Sequence, residues 1–121
     1  MEINELVKEA HENAVKHGFC EDFSLIKDIV DEIDCLDEYD KANKILKTNA
    51  ICTRLTLIHD EVSEATEGLR KNDIANFKEE LADIAIRLGD LCGLLDIDLE
   101  AEILKKMKIN KSREYKHGKA F

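Results

Sequence analysis

The sequence predicts an all-α fold, and three observations carry that reading. The 121 residues include no proline and only five glycines. Apolar residues make up 44% and charged residues 37%, a balance that suits amphipathic helices better than sandwiches, barrels or disorder. Two long stretches also space their apolar residues in alternating steps of three and four, the helical period. At this length one domain over 1–121 is expected, with a real but small core.

Residues 2–17 repeat apolar side chains at Ile3, Leu6, Val7, Ala10 and Ala14, and Gly18 is the expected stop. A second helix is expected over 24–38 on Ile26, Ile29, Ile33 and Leu36, with Ser24 as its N-cap. Nine acids and one lysine stand between 21 and 40, most simply a solvated helix face. From about 43 to 71, Ile51, Leu55, Ile58, Val62, Ala65 and Leu69 form an apolar seam. Lys71-Asn72-Asp73 breaks it, with Asn72 a C-terminal signal and Asp73 a cap for the next helix. Phe77, Leu81, Ile84, Leu88, Leu91 and Leu95 make a second seam, so a central antiparallel helix hairpin is expected. Asp98 then caps a last helix from near Leu99, and no apolar period continues past Asn110. Such a hairpin with short flanking helices leaves an apolar face over, which predicts completion as a homodimer or homotetramer.

Charge narrows the function classes. Of the net −9, residues 105–121 hold seven basic side chains against one acid, Glu114. That segment is +6 and residues 1–104 are −15. An acidic body does not bind a nucleic-acid backbone, whereas a basic tail on it suits a small anion such as a phosphate chain. No apolar run is long enough for a membrane span, and the first residues lack an apolar signal core. Cys20, Cys35, Cys52 and Cys92 show neither Cys-x-x-Cys spacing nor a histidine-partner pattern. They read as reduced, partly buried thiols of a cytoplasmic protein. His59 and His117 lack zinc-site spacing, no Ser-His-Asp or Cys-His set is indicated, and no glycine-rich loop supports a P-loop.

The acids that stand out are Glu61-x-x-Glu64 and Glu80-x-x-Asp83. Residues three apart on a helix share one face, so each pair can present two carboxylates together. Both pairs keep the same phase against their seams, preceding Ala65 and Ile84 by four and one. Folding the chain about position 72 sets Glu61 opposite Asp83 and Glu64 opposite Glu80, roughly 15 Å from the turn at 1.5 Å per residue. Four carboxylates that close need a cation, and hard oxygen donors select Mg²⁺, with Mn²⁺ a possible substitute. Solvated acids are the plainer reading for any one of them. Glu64-x-x-Glu67 overlaps the first pair, but Glu67 points away from the seam.

The segment LTLIHDEVSEATEGLRKND (55–73), with residues 77–121, resembles the MazG-like branch of the all-α nucleoside triphosphate pyrophosphatases. The acidic pairs alone are common strings. The tail Asn110-Lys111-x-Arg113-x-Tyr115-x-His117-Gly118-Lys119 makes the likeness more specific, and it extends weakly to 2–19. The resemblance implies Mg²⁺ on Glu61, Glu64, Glu80 and Asp83, and hydrolysis of a nucleoside triphosphate between its α and β phosphates. It implies substrate contacts from Lys106, Asn110, Lys111 and Arg113. It also implies a place for His11 at a base pocket, against the plainer reading of a partly exposed surface histidine.

The chain departs from the family at three places. Gly18-Phe19 is followed by Cys20 where family members often carry an aromatic residue, leaving Phe19 or Phe23 as substitutes. The acidic connection 21–42 is longer than usual. Arg87 replaces a tyrosine on the carboxylate edge, where it either touches a phosphate or pairs with Asp90 or Asp83. Gly68 and Gly89 permit close helix contact or leave room for substrate. Two rival readings remain: a non-catalytic acidic helical module that binds a partner protein, and phosphoribosyl-ATP hydrolysis within the same fold.

Overall fold

The computed structural model describes residues 1–120. Phe121 and the side chain of His117, with the zinc question raised for it, lie outside the described residues. Five α-helices succeed one another: α1 (Ile3–Lys16), α2 (Glu21–Val30), α3 (Leu36–Arg70), α4 (Ile74–Leu94) and α5 (Leu99–Lys111). A 3₁₀ turn, Tyr115–Gly118, comes last, and no strand occurs among the described residues. Among the described residues no helix is long and apolar enough to cross a membrane.

The local signals act where their chemistry requires. α1 ends at Lys16, and Gly18 just beyond it has a φ of +82°, a backbone conformation that other residues rarely adopt. There the Phe19 amide donates back to the Ala14 carbonyl at 3.0 Å and turns the chain. Asn72 takes the left-handed turn position at φ +55°, and the Asp73 carboxylate accepts from the Asn76 amide at 3.0 Å. Asp98 caps α5 in the same way, on the Ala101 amide at 3.0 Å, and also accepts from Asn4 of α1 at 3.1 Å.

The expected second helix is corrected. α2 starts at Glu21 and stops at Val30, so Ser24 is an exposed interior residue and no cap. Glu21 and Asp22 suit the positive end of a helix dipole. Asp31, Glu32 and Asp34 would sit unfavourably at the negative end of a longer one, and the chain breaks there. The next helix then begins at Leu36, seven residues before the expected 43. The reason is packing: Tyr39, Ala42 and Leu46 lie against a buried cluster of Ile26, Val30 and Ala50, and Val30 is wholly buried. α2 is thus held on the first half of α3, with the acids of this stretch on the outside.

α3 and α4 pack along each other from their three-residue connection, and α1 lies on α4 with α5 beside it. Each expected seam divides between inside and outside. Ile51, Ile58 and Ala65 turn inward, as do Phe77, Ile84 and Leu91. Leu55, Val62, Leu69, Ile74, Leu81 and Leu88 are 39–53% exposed and repeat at seven-residue intervals on both helices. The packed face is rotated off the seams because it also takes in Glu61, Gly68, Glu80 and Gly89. The four cysteines are unpaired, but Cys35 and Cys52 are exposed rather than partly buried.

Candidate metal centre

Gly68 controls how closely α3 approaches α4. A Cβ at that position would lie 3.0 Å from the Phe77 backbone nitrogen. Glu61 stands two turns earlier on the same face, and Glu80 comes one turn after Phe77, so close contact at the glycine draws both acids into the interface. Glu61, Glu64 and Glu80 each place an oxygen within 4.8 Å of the others. Glu61 and Glu80 are only 7% and 8% exposed, while Glu64 faces solvent. Three of the four expected carboxylates therefore converge. Asp83 lies outside this trio but shares a cavity wall with Glu61.

The trio is electrostatically divided. Arg87 donates from Nε to Glu61 Oε1 at 2.5 Å, and that bond holds the Glu61 carboxyl below its ordinary range despite burial. Of the acids within its reach, Arg87 thus takes Glu61 as its ion-pair partner rather than Asp90 or Asp83. Glu80 is pushed up to about 7, first by burial and then by its neighbours Glu61 and Glu64. Its Oε2 is buried and accepts no hydrogen bond among the described residues. A buried orphan oxygen beside two further carboxylates is costly alone and fits a hard divalent cation, Mg²⁺ or Mn²⁺.

A cavity of about 350 Å³ opens beside the trio. Glu61, Asp83 and Arg87 stand on its wall with Asn13, Phe19 and Asp90. Its volume lies within the common range for small-molecule sites. Phe19 is well exposed there, while Phe23 packs into the α2–α3 cluster. His11 is partly exposed, with Nδ1 3.0 Å from Asp90 Oδ1, and is not among the residues that line the cavity. The tail residues are elsewhere: Lys106, Asn110 and Lys111 are exposed on and near the end of α5, and none lines the cavity. Arg113 borders a separate hollow with Ser112, Glu114 and Lys119.

Sequence reasoning passed over Arg54. Its two terminal nitrogens donate to the two Asp22 oxygens at 2.8 Å each and also reach the Phe19 carbonyl at 2.9 Å. The guanidinium holds the Asp22 carboxyl below its ordinary range and stacks 5.0 Å from the Phe23 ring. This clamp fixes the α1–α2 connection on the cavity wall. Arg54 stands out as the lone charge between Lys47 and His59, but nothing local points to Asp22 as its partner.

Comparisons with protein-family models, with curated proteins and with solved structures each return no match.

Proposed function

We propose that the protein is a Mg²⁺-dependent pyrophosphohydrolase that splits a nucleoside triphosphate between the α and β phosphates. The observation that carries this reading is the meeting of buried Glu61 and Glu80 with exposed Glu64, one Glu80 oxygen being unpartnered, beside a ligand-sized cavity. These three residues, with Asp83 as the fourth, would hold the ion. When bound, Mg²⁺ neutralises carboxylate and phosphate charge and lowers the pKa of water. Arg87 stands between trio and cavity, and its planar fork suits a phosphate oxygen. Phe19 offers a ring for a base, and Asn13 an amide.

The likeness to MazG-like enzymes rests on the acidic pairs and the tail, and it is the source of the bond assignment. Lys106, Lys111 and Arg113 would supply positive charge that an acidic body needs to accept a triphosphate, and Asn110 would offer an amide to a phosphate oxygen or water. Truncation after Ile109 is expected to leave a folded protein with reduced kcat/KM. The α3–α4 pair would act as an antiparallel hairpin completed by a second copy on its exposed heptads, in a cytoplasmic homodimer or homotetramer.

The test is a screen of purified protein against the common NTPs and dNTPs with Mg²⁺. The expected products are a monophosphate and pyrophosphate, with solvent ¹⁸O entering the monophosphate. Orthophosphate with a diphosphate as first products would overturn the bond assignment. Turnover with phosphoribosyl-ATP alone would move the substrate, and no turnover at all would favour a protein-binding module.

A further inference from the structure

We infer that His11, Cys20 and Asp90 form a second cation site, separate from the carboxylate trio, for a thiophilic divalent metal such as Zn²⁺. One donor atom from each lies within 4.8 Å of the other two, and all three residues are half-buried. They come from α1, the residue before α2, and α4, so the fold alone assembles them.

Each is placed by an identifiable device. Gly93 lies beneath His11, where any Cβ would overlap the His11 Cβ, so the glycine makes room for that side chain. The left-handed turn at Gly18 brings Cys20 back toward α1. Arg54 then pins the residues on either side of Cys20 through the Phe19 carbonyl and Asp22. Asp90 Oδ1 lies 3.0 Å from His11 Nδ1, a contact that orients the imidazole. The ion would then be left the other imidazole nitrogen, the Cys20 sulfur and the second Asp90 oxygen.

Donor chemistry separates this site from the first. Sulfur and imidazole nitrogen favour Zn²⁺, whereas the all-oxygen trio favours Mg²⁺. Burial, with Asp90 adding to it, holds the Cys20 thiol above its ordinary value. That is the opposite of an activated nucleophile, while a bound cation removes such a proton outright. Asp90 also lines the cavity, which gives an ion a route from solvent.

The test uses chelator-treated full-length protein titrated with Co²⁺, a coloured stand-in for Zn²⁺. The expected result is a thiolate-to-cobalt charge-transfer band at one equivalent, abolished by Zn²⁺ and unmoved by excess Mg²⁺. Cys20→Ser and His11→Ala should remove the band, and Cys35→Ser and Cys52→Ser should keep it. Asp90→Asn should weaken binding by about 10- to 100-fold. A second measurement needs no variant: Zn²⁺ should protect Cys20, but not Cys35, from alkylation mapped by peptide mass. Absence of the band in the unaltered protein, its persistence in folded Cys20→Ser, or equal alkylation of Cys20 with and without Zn²⁺ would overturn the site. None of these readouts depends on nucleotide hydrolysis.

Discussion

Burial and two neighbouring carboxylates all oppose the charge of Glu80. In chelator the folded state binds this proton more tightly than the unfolded chain does. Its contribution to stability is therefore complete below about pH 4.5 and is lost as pH rises through about 7. Thermal melts of Glu80→Gln without metal should vary less over that window than those of the unaltered protein. Identical pH profiles would show that Glu80 is not perturbed. Glu61 behaves oppositely, since Arg87 favours its ionised form. Glu61→Gln and Asp83→Asn should each abolish Mg²⁺-dependent turnover while keeping the helical circular dichroism. Full activity in both would remove the carboxylates from the mechanism.

Among the elements, α4 is the one whose surface is most shaped by missing side chains. Gly89 lies 3.4 Å, by a hypothetical Cβ, from the Ala10 Cβ, and Gly93 meets His11 more closely still. In an exposed helix Gly→Ala gains up to about 1 kcal/mol of helix propensity. At Gly93 the new methyl would overlap a neighbouring Cβ, which cannot swing aside, and overpacking of that kind costs about 1–3 kcal/mol. Gly93→Ala should therefore lower the urea midpoint rather than raise it. A raised midpoint would mean that α1 sits more loosely on α4 than the contact distances indicate.

Across the chain as a unit, apolar surface is distributed unevenly. Among the described residues, the one large side chain that is wholly buried is Val30, in the cluster that joins α2 to the first half of α3. The α3–α4 interface instead takes in Glu61, Glu80 and Gly68, the α4 glycines Gly89 and Gly93 face α1, and six apolar heptad positions are left exposed. These positions are the surface on which the proposed second copy would pack. Val62→Glu combined with Leu81→Glu should shift the sedimentation coefficient to that of one chain, with the helices retained. An unaltered protein that already sediments as one chain would remove the second copy from the proposal.

Much of this architecture was legible in the residues themselves. Gly18, Asn72, Asp73 and Asp98 act through local hydrogen bonds and backbone freedom, so neighbouring sequence was enough to place them. The spacing of Glu61, Glu64 and Glu80 was legible for the same reason, because helical period and a short turn bring them to one face. Other features depend on contacts between segments far apart in the chain. α2 ends at Val30, and α3 extends back to Leu36, because apolar residues on both find each other across the break. The Arg87–Glu61 bond, the Arg54–Asp22 clamp and the meeting of His11 with Cys20 and Asp90 have no local signature, since their partners come from different elements. Local chemistry in the sequence thus determined the helical character, the ends of α1, α4 and α5, and the acidic face, but not the break between α2 and α3. Only tertiary packing decided which half of each seam is buried, because one helix cannot specify the rotation at which another will meet it.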